Sequence, residues 1–278
     1  MKIKKLSLGA LATLPYGSAG TQNYGDKSVL EEVVLSQNLG TMPDSSFREY
    51  SKLKEINLEN ITSFGSSWSD TGAFRNCTSL ISVDVQNSSN VSAGTFSGCS
   101  SLESANIRNA TTIESNAFSY CRVLKSVTFS PQLHSIAADA FFNCSELSMD
   151  LNFPNLESLG DRAFMNTKIT SFVAPNIVSI NGVYMDTGAF RDCTLMHTVD
   201  LGDKIESIGQ ADFYGCISLA SFICRAITPP TLANANALNG TNNCPIYVPD
   251  ASVEAYKTAT NWSQYQARIK PLSEYVEE

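Results

Sequence analysis

The chain has 278 residues (30.1 kDa), 43% of them hydrophobic, which is enough for a sizeable core in one large domain or two ordinary ones. A net charge of −8, a pI near 4.9 and no Lys/Arg run beyond the opening "KIKK" leave no basic surface for phosphates, which excludes nucleic acid as a partner. No apolar stretch approaches the roughly 20 residues a helix needs to cross a bilayer, so no membrane span is expected.

The N-terminal segment reads in two ways. Lys2, Lys4 and Lys5 followed by "LSLGALATL" and "PYGSA" have the outline of a weak secretory signal, with a short apolar part broken by Gly9. The same residues align without gaps, as "IKKLSLGAL", on "LKEINLENI" (53 to 61) and on "LEEVVLSQNL" (30 to 39), and this favours a worn repeat. On the repeat reading Met1 falls inside a repeat, and the targeting signal of a longer protein is expected upstream.

From Tyr24 onward an aromatic recurs at Phe47, Phe74, Phe96, Phe118, Phe141, Phe164, Phe190 and Phe213, at spacings of 22 to 27 residues. Periods of that size mean stacked coils. Six residues after the aromatic comes an aliphatic, as in Leu30, Leu53, Leu80 and Leu102, with Ile169 one residue early and Met196 standing in once. Apolar residues then alternate with a polar one, as in Ile56-Asn57-Leu58, Val83-Asp84-Val85 and Val127-Thr128-Phe129, which predicts a short strand with one buried face. A further aliphatic pair, such as Leu133 and Ile136, closes each coil. A coil this short cannot bury its own apolar face, so neighbours must stack, with strands in parallel about 4.8 Å apart and the Phe rings in a ladder.

Six of the eight cysteines, Cys77, Cys99, Cys121, Cys144, Cys193 and Cys216, stand three residues after the aromatic, and Thr167 takes that slot once. Stacked equivalents keep their Cβ atoms near the coil spacing, beyond the roughly 3.5 to 4.5 Å of a disulfide, so buried reduced thiols are expected. At the end of the chain Pro229 and Pro230 stop the repeat and Ile246-Tyr247-Val248 supply a last strand. A helix capped at Asp250 or Ser252 then places Val253, Tyr256 and Ala259 over the end of the core.

The phrase "AFxxCxxLxxIxL", running through essentially the whole chain, resembles the BspA-type leucine-rich repeats of bacterial surface proteins, met also in some protozoa. "CRAITPPTL" followed by "PIYVPDASVEAYKTATNWSQYQARIKPL" is similar to the terminal cap of such proteins in Bacteroidetes-like sequences. The resemblance implies a leucine-rich-repeat solenoid of stacked 22–27-residue coils. A parallel β-sheet forms one face, short helical or irregular turns form the other, and a C-terminal strand-helix cap closes it, with 1–225 as solenoid and 226–278 as cap of the same domain. Cys244 departs from the family pattern, and a disulfide between Cys224 and Cys244 would tie the cap down.

Signs of catalysis are absent from the sequence. His134 and His197 fall at non-equivalent repeat positions with no partner pattern, and no HExxH, GxSxG, GxxxxGK[ST] or zinc-spaced CxxC pair occurs. Neither an enzyme nor a cofactor or metal protein is expected. Sequons at Asn76 and Asn143 sit inside the repeat phrase and are read as repeat composition.

Binding surfaces remain. The outward strand positions form a polar column that includes Asn57, Asp84, Asn106, Thr128, Asn152 and Asp200, suited to an extended protein segment or glycan, against the plain alternative of a solvated sheet face. Three turns span ten residues where the others span five: "LPYGSAGTQNY", "FGSSWSDTGAF" and "INGVYMDTGAF". Insertions in solenoids project from one face. Trp68 and Tyr184, with Met185 beside the latter, occupy the same insertion position and suit an interface anchor unless each folds back on its own coil. By resemblance the chain is a secreted or cell-surface adhesin, a monomer, binding a host or matrix glycoprotein or a glycan. The competing readings are a structural spacer and a glycan-capture protein of an uptake system.

Overall fold

Each coil turns at the repeat phrase, and the phrase's polar letters follow from the geometry of that turn. In a computed structural model that describes residues 4–8, 24, 26–65, 68–184 and 186–277, the residue two after the aromatic takes a left-handed backbone in coil after coil. Among these residues are Asn76 (φ 60°), Gly98 (74°), Asn143 (59°), Asn166 (60°), Asp192 (60°) and Gly215 (76°). Asn, Asp and Gly tolerate that region best, so the asparagines of the sequons at Asn76 and Asn143 serve the turn. The next residue, cysteine, donates its thiol to the carbonyl of the aromatic one coil earlier: Cys77 to Phe47 at 2.9 Å, Cys99 to Phe74 at 3.2 Å, Cys121 to Phe96 at 3.2 Å, Cys144 to Phe118 at 3.1 Å, Cys193 to Phe164 at 3.1 Å and Cys216 to Phe190 at 3.2 Å. Carbonyls such as those of Phe74 and Phe96 also accept the N–H three residues on, and the thiol adds a second donor from the next coil within a volume the packed interior accepts. Thr167 instead turns its hydroxyl to the Phe164 carbonyl of its own coil, at 2.8 Å.

The coils fall into two compact units, Met1–Leu133 with Asp139–Leu147, and His134–Ala138 with Ser148–Glu278. In the first, the strands Lys5–Leu8, Glu32–Leu35 and Glu55–Ile56 pair in parallel, as do Ser82–Asp84, Ser104–Asn106 and Ser126–Thr128. Lys5–Leu8 sets Leu6 opposite Val33 and Leu8 opposite Leu35, the place a repeat would take; the rest of the possible signal segment and nearly all of the first long turn lie outside the described residues. Rings stack from Tyr24 through Phe47, Phe74, Phe96 and Phe118 to Phe141, with centroids 5.0 to 5.7 Å apart and planes within 28°. The outer-sheet alternation is what the sequence predicts: Val83, Ala105 and Val127 point inward and are buried.

In the second unit a six-stranded parallel sheet runs through Asp150–Asn152, Ser171–Ala174, Thr198–Leu201, Ser221–Cys224, Ile246–Val248 and Ile269–Pro271. Phe164, Phe190 and Phe213 stack at 5.5 Å, their planes within 14°. Both units also carry a ladder of two-residue strands that the sequence reading left as irregular turn. Asn90–Val91 pairs with Thr112–Ile113 in the first unit; Ser135–Ile136, Ser158–Leu159, Ser179–Ile180, Ser207–Ile208 and Thr231–Leu232 pair in succession in the second. The closing aliphatic of each coil is the single inward residue of such a strand, so each coil crosses two parallel ladders.

The cap belongs to the second unit. A 3-10 turn over Asp250–Ser252 leads into a helix over Val253–Thr258; Ser252 is its N-cap residue, although its hydroxyl makes no capping bond. Tyr256 and Trp262 are fully buried, and each plugs the end of the core while satisfying it: the Tyr256 hydroxyl donates to the Ala226 carbonyl (2.8 Å) and the Trp262 indole N–H to that of Pro230 (2.7 Å). The possible disulfide between Cys224 and Cys244 is not formed. Both thiols are free and face different partners, Cys224 the Tyr256 hydroxyl (3.2 Å) and Cys244 the Arg268 guanidinium (3.2 Å). Arg268 also reaches the Cys244 carbonyl (2.8 Å) and Thr241 hydroxyl (2.8 Å), so a guanidinium holds this end of the cap.

Candidate functional site

The column of outward strand positions is built as the alternation requires, yet much of its polarity is spent internally. In the first unit Asp84, Asn106 and Thr128 lie side by side in register. Asn106 donates its amide to Asp84 (3.2 Å), and Asp84 also accepts the Gln86 N–H (3.1 Å). Asn57 serves the strand beside it, accepting the Leu35 N–H (2.6 Å) and donating to the Leu35 carbonyl (3.3 Å). In the second unit Asn152 is exposed, whereas Asp200 is clasped by Arg225 through two bonds of 2.8 and 2.7 Å. Thr128 and Asn152 are the members that present exposed side chains with no side-chain hydrogen bond among the described residues.

The long turns are built alike. Thr71 donates both its N–H (3.0 Å) and its hydroxyl (3.0 Å) to the Trp68 carbonyl; Thr187 does the same to the Tyr184 carbonyl (3.2 and 3.3 Å), and its hydroxyl also accepts the Tyr184 N–H (3.1 Å). Behind each threonine a glycine lies against the next coil. A Cβ on Gly72 would stand 1.9 Å from the Gly94 carbonyl oxygen, and one on Gly188 2.1 Å from that of Ala211. With the base so held, the aromatics stand outward: Trp68 is 73% and Tyr184 63% exposed. Met185 lies outside the described residues. Two carboxylates anchor the Tyr184 turn from flanking coils. Asp161 accepts the Val183 N–H (3.4 Å), and the wholly buried Asp212 accepts those of Ala189 (2.9 Å) and Gly209 (2.5 Å). Burial pushes the Asp212 carboxyl up to about 6, those backbone donors pull it down, and the Asp161 charge adds to the rise.

A cleft of about 490 Å³ that the sequence reading missed opens on the outer sheet face of the second unit. Its floor comes from a second outward position in each strand, two residues before the column: Asp150, Ser171, Thr198 and Ser221 stand opposite one another in register. His197 lines one side and the C-terminal segment Tyr275–Glu277 another, with the Tyr275 ring set edge-on to Tyr247 (5.1 Å). The Asp150 carboxylate takes hydrogen bonds from the Ser171 and Thr170 hydroxyls, each 2.7 Å, and these hold its pKa below the usual carboxylate value. The signal for the floor was present in the period-two alternation, which gives two outward residues per strand; the walls come from the cap and share no spacing with it.

Nucleophilic chemistry finds no support among the described residues. All eight thiols are buried, and burial pushes every one whose titration is resolved above its ordinary range, so none is held as a thiolate. No described helix is long and apolar enough to cross a membrane.

The sequence profile described as "BspA type Leucine rich repeat region" matches this chain in six copies, over residues 19–71, 70–184 and 111–235. No curated protein matches it. Among solved structures, a leucine-rich cell surface protein from Faecalibacterium prausnitzii aligns over 98% of this chain and 87% of its own, at 17% identity and a TM-score of 0.43. A leucine-rich repeat protein from Bacteroides ovatus aligns over 97% and 94%, at 18% identity and 0.40. The pneumococcal vaccine antigen PcpA aligns over 90% and 73%, at 13% and 0.31. Scores this low add nothing to the fold assignment, which rests on the coils themselves and on the profile.

Proposed function

We propose, from the premise that the chain belongs to the BspA-type leucine-rich repeat family, that it is a non-enzymatic binding protein, secreted or displayed at the cell surface, acting as an adhesin for a host or matrix glycoprotein. The observation that carries this reading is the pair of exposed aromatics, Trp68 and Tyr184, each fixed outward by a turn whose backbone bonds and glycine leave it little freedom. Large aromatics presented at low entropic cost are the side chains on which protein interfaces concentrate affinity. The sheet-face column contributes Thr128 and Asn152 at most, because Asn57, Asp84, Asn106 and Asp200 are engaged within the fold.

Surface plasmon resonance against a panel of matrix glycoproteins, at low and high salt, tests the reading. Saturable, salt-tolerant binding to one member, weakened about tenfold or more by Trp68→Ala or Tyr184→Ala, is the expected result. A flat response across the panel, or binding that neither variant changes, refutes the loop-anchored adhesin, and the flat response would point to a spacer.

A further inference from the structure

The corner of the second unit where each coil passes from the outer sheet to the inner ladder leaves its polar side chains unspent. His134, Glu157, Val178 and Glu206 stand one residue ahead of the strands Ser135–Ile136, Ser158–Leu159, Ser179–Ile180 and Ser207–Ile208, in register on successive coils. Asn155, Asn176 and Lys204 form a second row two residues earlier. Two adjoining hollows of about 420 and 640 Å³ follow these rows and share Val178 and Lys204, so they make one groove along the direction in which the coils stack. The larger hollow is also lined by Pro229 and by Ile227, which is 74% exposed.

His134, Glu157, Lys204 and Glu206 are exposed and make no side-chain hydrogen bond or ion pair among the described residues, unlike Asp84, Asn106 and Asp200 on the sheet face. Asn176 donates to the Pro154 carbonyl (2.7 Å), and its own side-chain oxygen accepts nothing among those residues. The backbone of the groove, by contrast, is spent. The Glu157 N–H bonds the His134 carbonyl (2.9 Å), Val178 that of Glu157 (2.8 Å) and Glu206 that of Val178 (2.9 Å), so a peptide laid along the groove finds no strand edge to join. Glu157, Asp203 and Glu206 oppose an anionic polymer, and Lys204 between them opposes a cationic one.

What remains is an uncharged chain rich in hydroxyls, which donate to carboxylates and amide oxygens and accept from an ammonium. The C–H faces of sugar rings also suit the apolar shelf of Val178, Ile227 and Pro229. In an extended β-linked glycan the sugars succeed one another near the coil spacing of about 4.8 Å, so one chain can present a sugar to each coil in turn. We infer that this groove binds an extended, uncharged, β-linked glycan running along the stacking direction past Glu157, Asn176 and Lys204. The volumes lie within the range of ligand sites. The inference rests on the binding-protein reading, deepens it by naming the ligand class of this groove, and does not involve the Trp68 and Tyr184 turns.

The test is titration of the whole chain with cellohexaose, mannohexaose and xylohexaose, all β-1,4-linked, followed by calorimetry and by chemical-shift changes, with hexagalacturonate as the charged counterpart. At least one neutral oligosaccharide should bind saturably and with an affinity that salt does not change. Glu157→Ala and Asn176→Ala should each weaken it about tenfold, and Asn152→Ala, on the sheet face, should leave it unchanged. Glu157 is exposed, so Glu157→Ala should unfold at the parent's midpoint, which separates lost binding from lost fold. No saturable binding of any of the three, tighter binding of hexagalacturonate that fades with salt, or insensitivity to both groove variants would overturn the inference. Oligosaccharide binding with a flat glycoprotein panel would keep the groove and remove the adhesin; panel binding weakened by Trp68→Ala or Tyr184→Ala, with no oligosaccharide bound, would do the opposite.

Discussion

The wholly buried Asp212 makes stability depend on pH in a direction opposite to that of most carboxylates. It has no cationic partner among its bonds; two backbone N–H groups hold it, and burial raises its carboxyl from the ordinary 3.8 to about 6 in the folded chain. At 1.36 kcal/mol per pH unit, that gap corresponds to about 3 kcal/mol. Below about pH 3.8 the group is protonated in both folded and unfolded chains and its contribution is fully present. As pH rises through about 6 the folded chain must ionise it inside the core, and the contribution is lost. Glu31, held down to about 2 by hydrogen bonds from Lys4 and Lys54, acts in the opposite sense but titrates below this window. Urea denaturation of the parent and of Asp212→Asn at half-unit steps from pH 4.5 to 7.5 isolates the effect. The variant loses an acceptor and starts from a lower stability, so the slopes, not the absolute values, are compared. Part of that gap is already spent at pH 4.5, so the parent should lose about 2 kcal/mol more than the variant between pH 4.5 and 7.5. Parallel profiles would mean that Asp212 is not the buried, unpaired carboxyl described.

The eight thiols should be inert towards Ellman's reagent in the native chain and react together on unfolding; one thiol reacting natively would contradict its burial. Gly188→Ala places a Cβ about 2.1 Å from the Ala211 carbonyl oxygen and should cost about 2 kcal/mol in thermal or urea unfolding, whereas an unchanged midpoint would show that the Tyr184 turn yields freely. Cys121→Thr and Cys121→Val have nearly the same shape, and only threonine keeps a side-chain donor, for the Phe96 carbonyl that the thiol meets or, as Thr167 does, for the aromatic carbonyl of its own coil. Threonine should be the more stable by about 1 kcal/mol, and equal stabilities would reduce the slot to packing alone.

The period was legible because three features coincide in most phrases: a ring that must stack, a left-handed turn that restricts the letter at Asn76 or Gly98, and a thiol that answers a carbonyl. Each constrains residue type at fixed spacing, so the repeats stayed aligned even where Thr167 replaced the cysteine. The second ladder was harder to see because a strand such as Ser135–Ile136 contributes a single inward residue, too few to display alternation. Cys224 and Cys244 stayed open in the sequence for a related reason. Off the repeat register, cysteine identity carries no geometry, and the structure gives each thiol a separate polar neighbour in the cap.

The surfaces follow the same logic with less help from spacing. A polar letter on an outward position is compatible with a ligand and equally with a neighbour in the next coil. Asn106 and Asp84, or Arg225 and Asp200, settle that choice only when the register sets them 22 or 25 residues apart in sequence and in contact in space. Trp68 and Tyr184 could be paired from sequence because their turns share "DTGAF", the letters that fix the base, while their exposure depends on how closely Gly72 and Gly188 seat against the following coil. In the cleft, Asp150 belongs to a strand of the repeat and Tyr247 and Tyr275 to the cap. What joins them is the parallel register that carries Asp150 to Ser171, Thr198 and Ser221, and Ile223 to Tyr247. A solenoid therefore makes its binding surfaces out of residues that no local motif unites, and its repeat letters report where the sheet lies long before they report what the sheet holds.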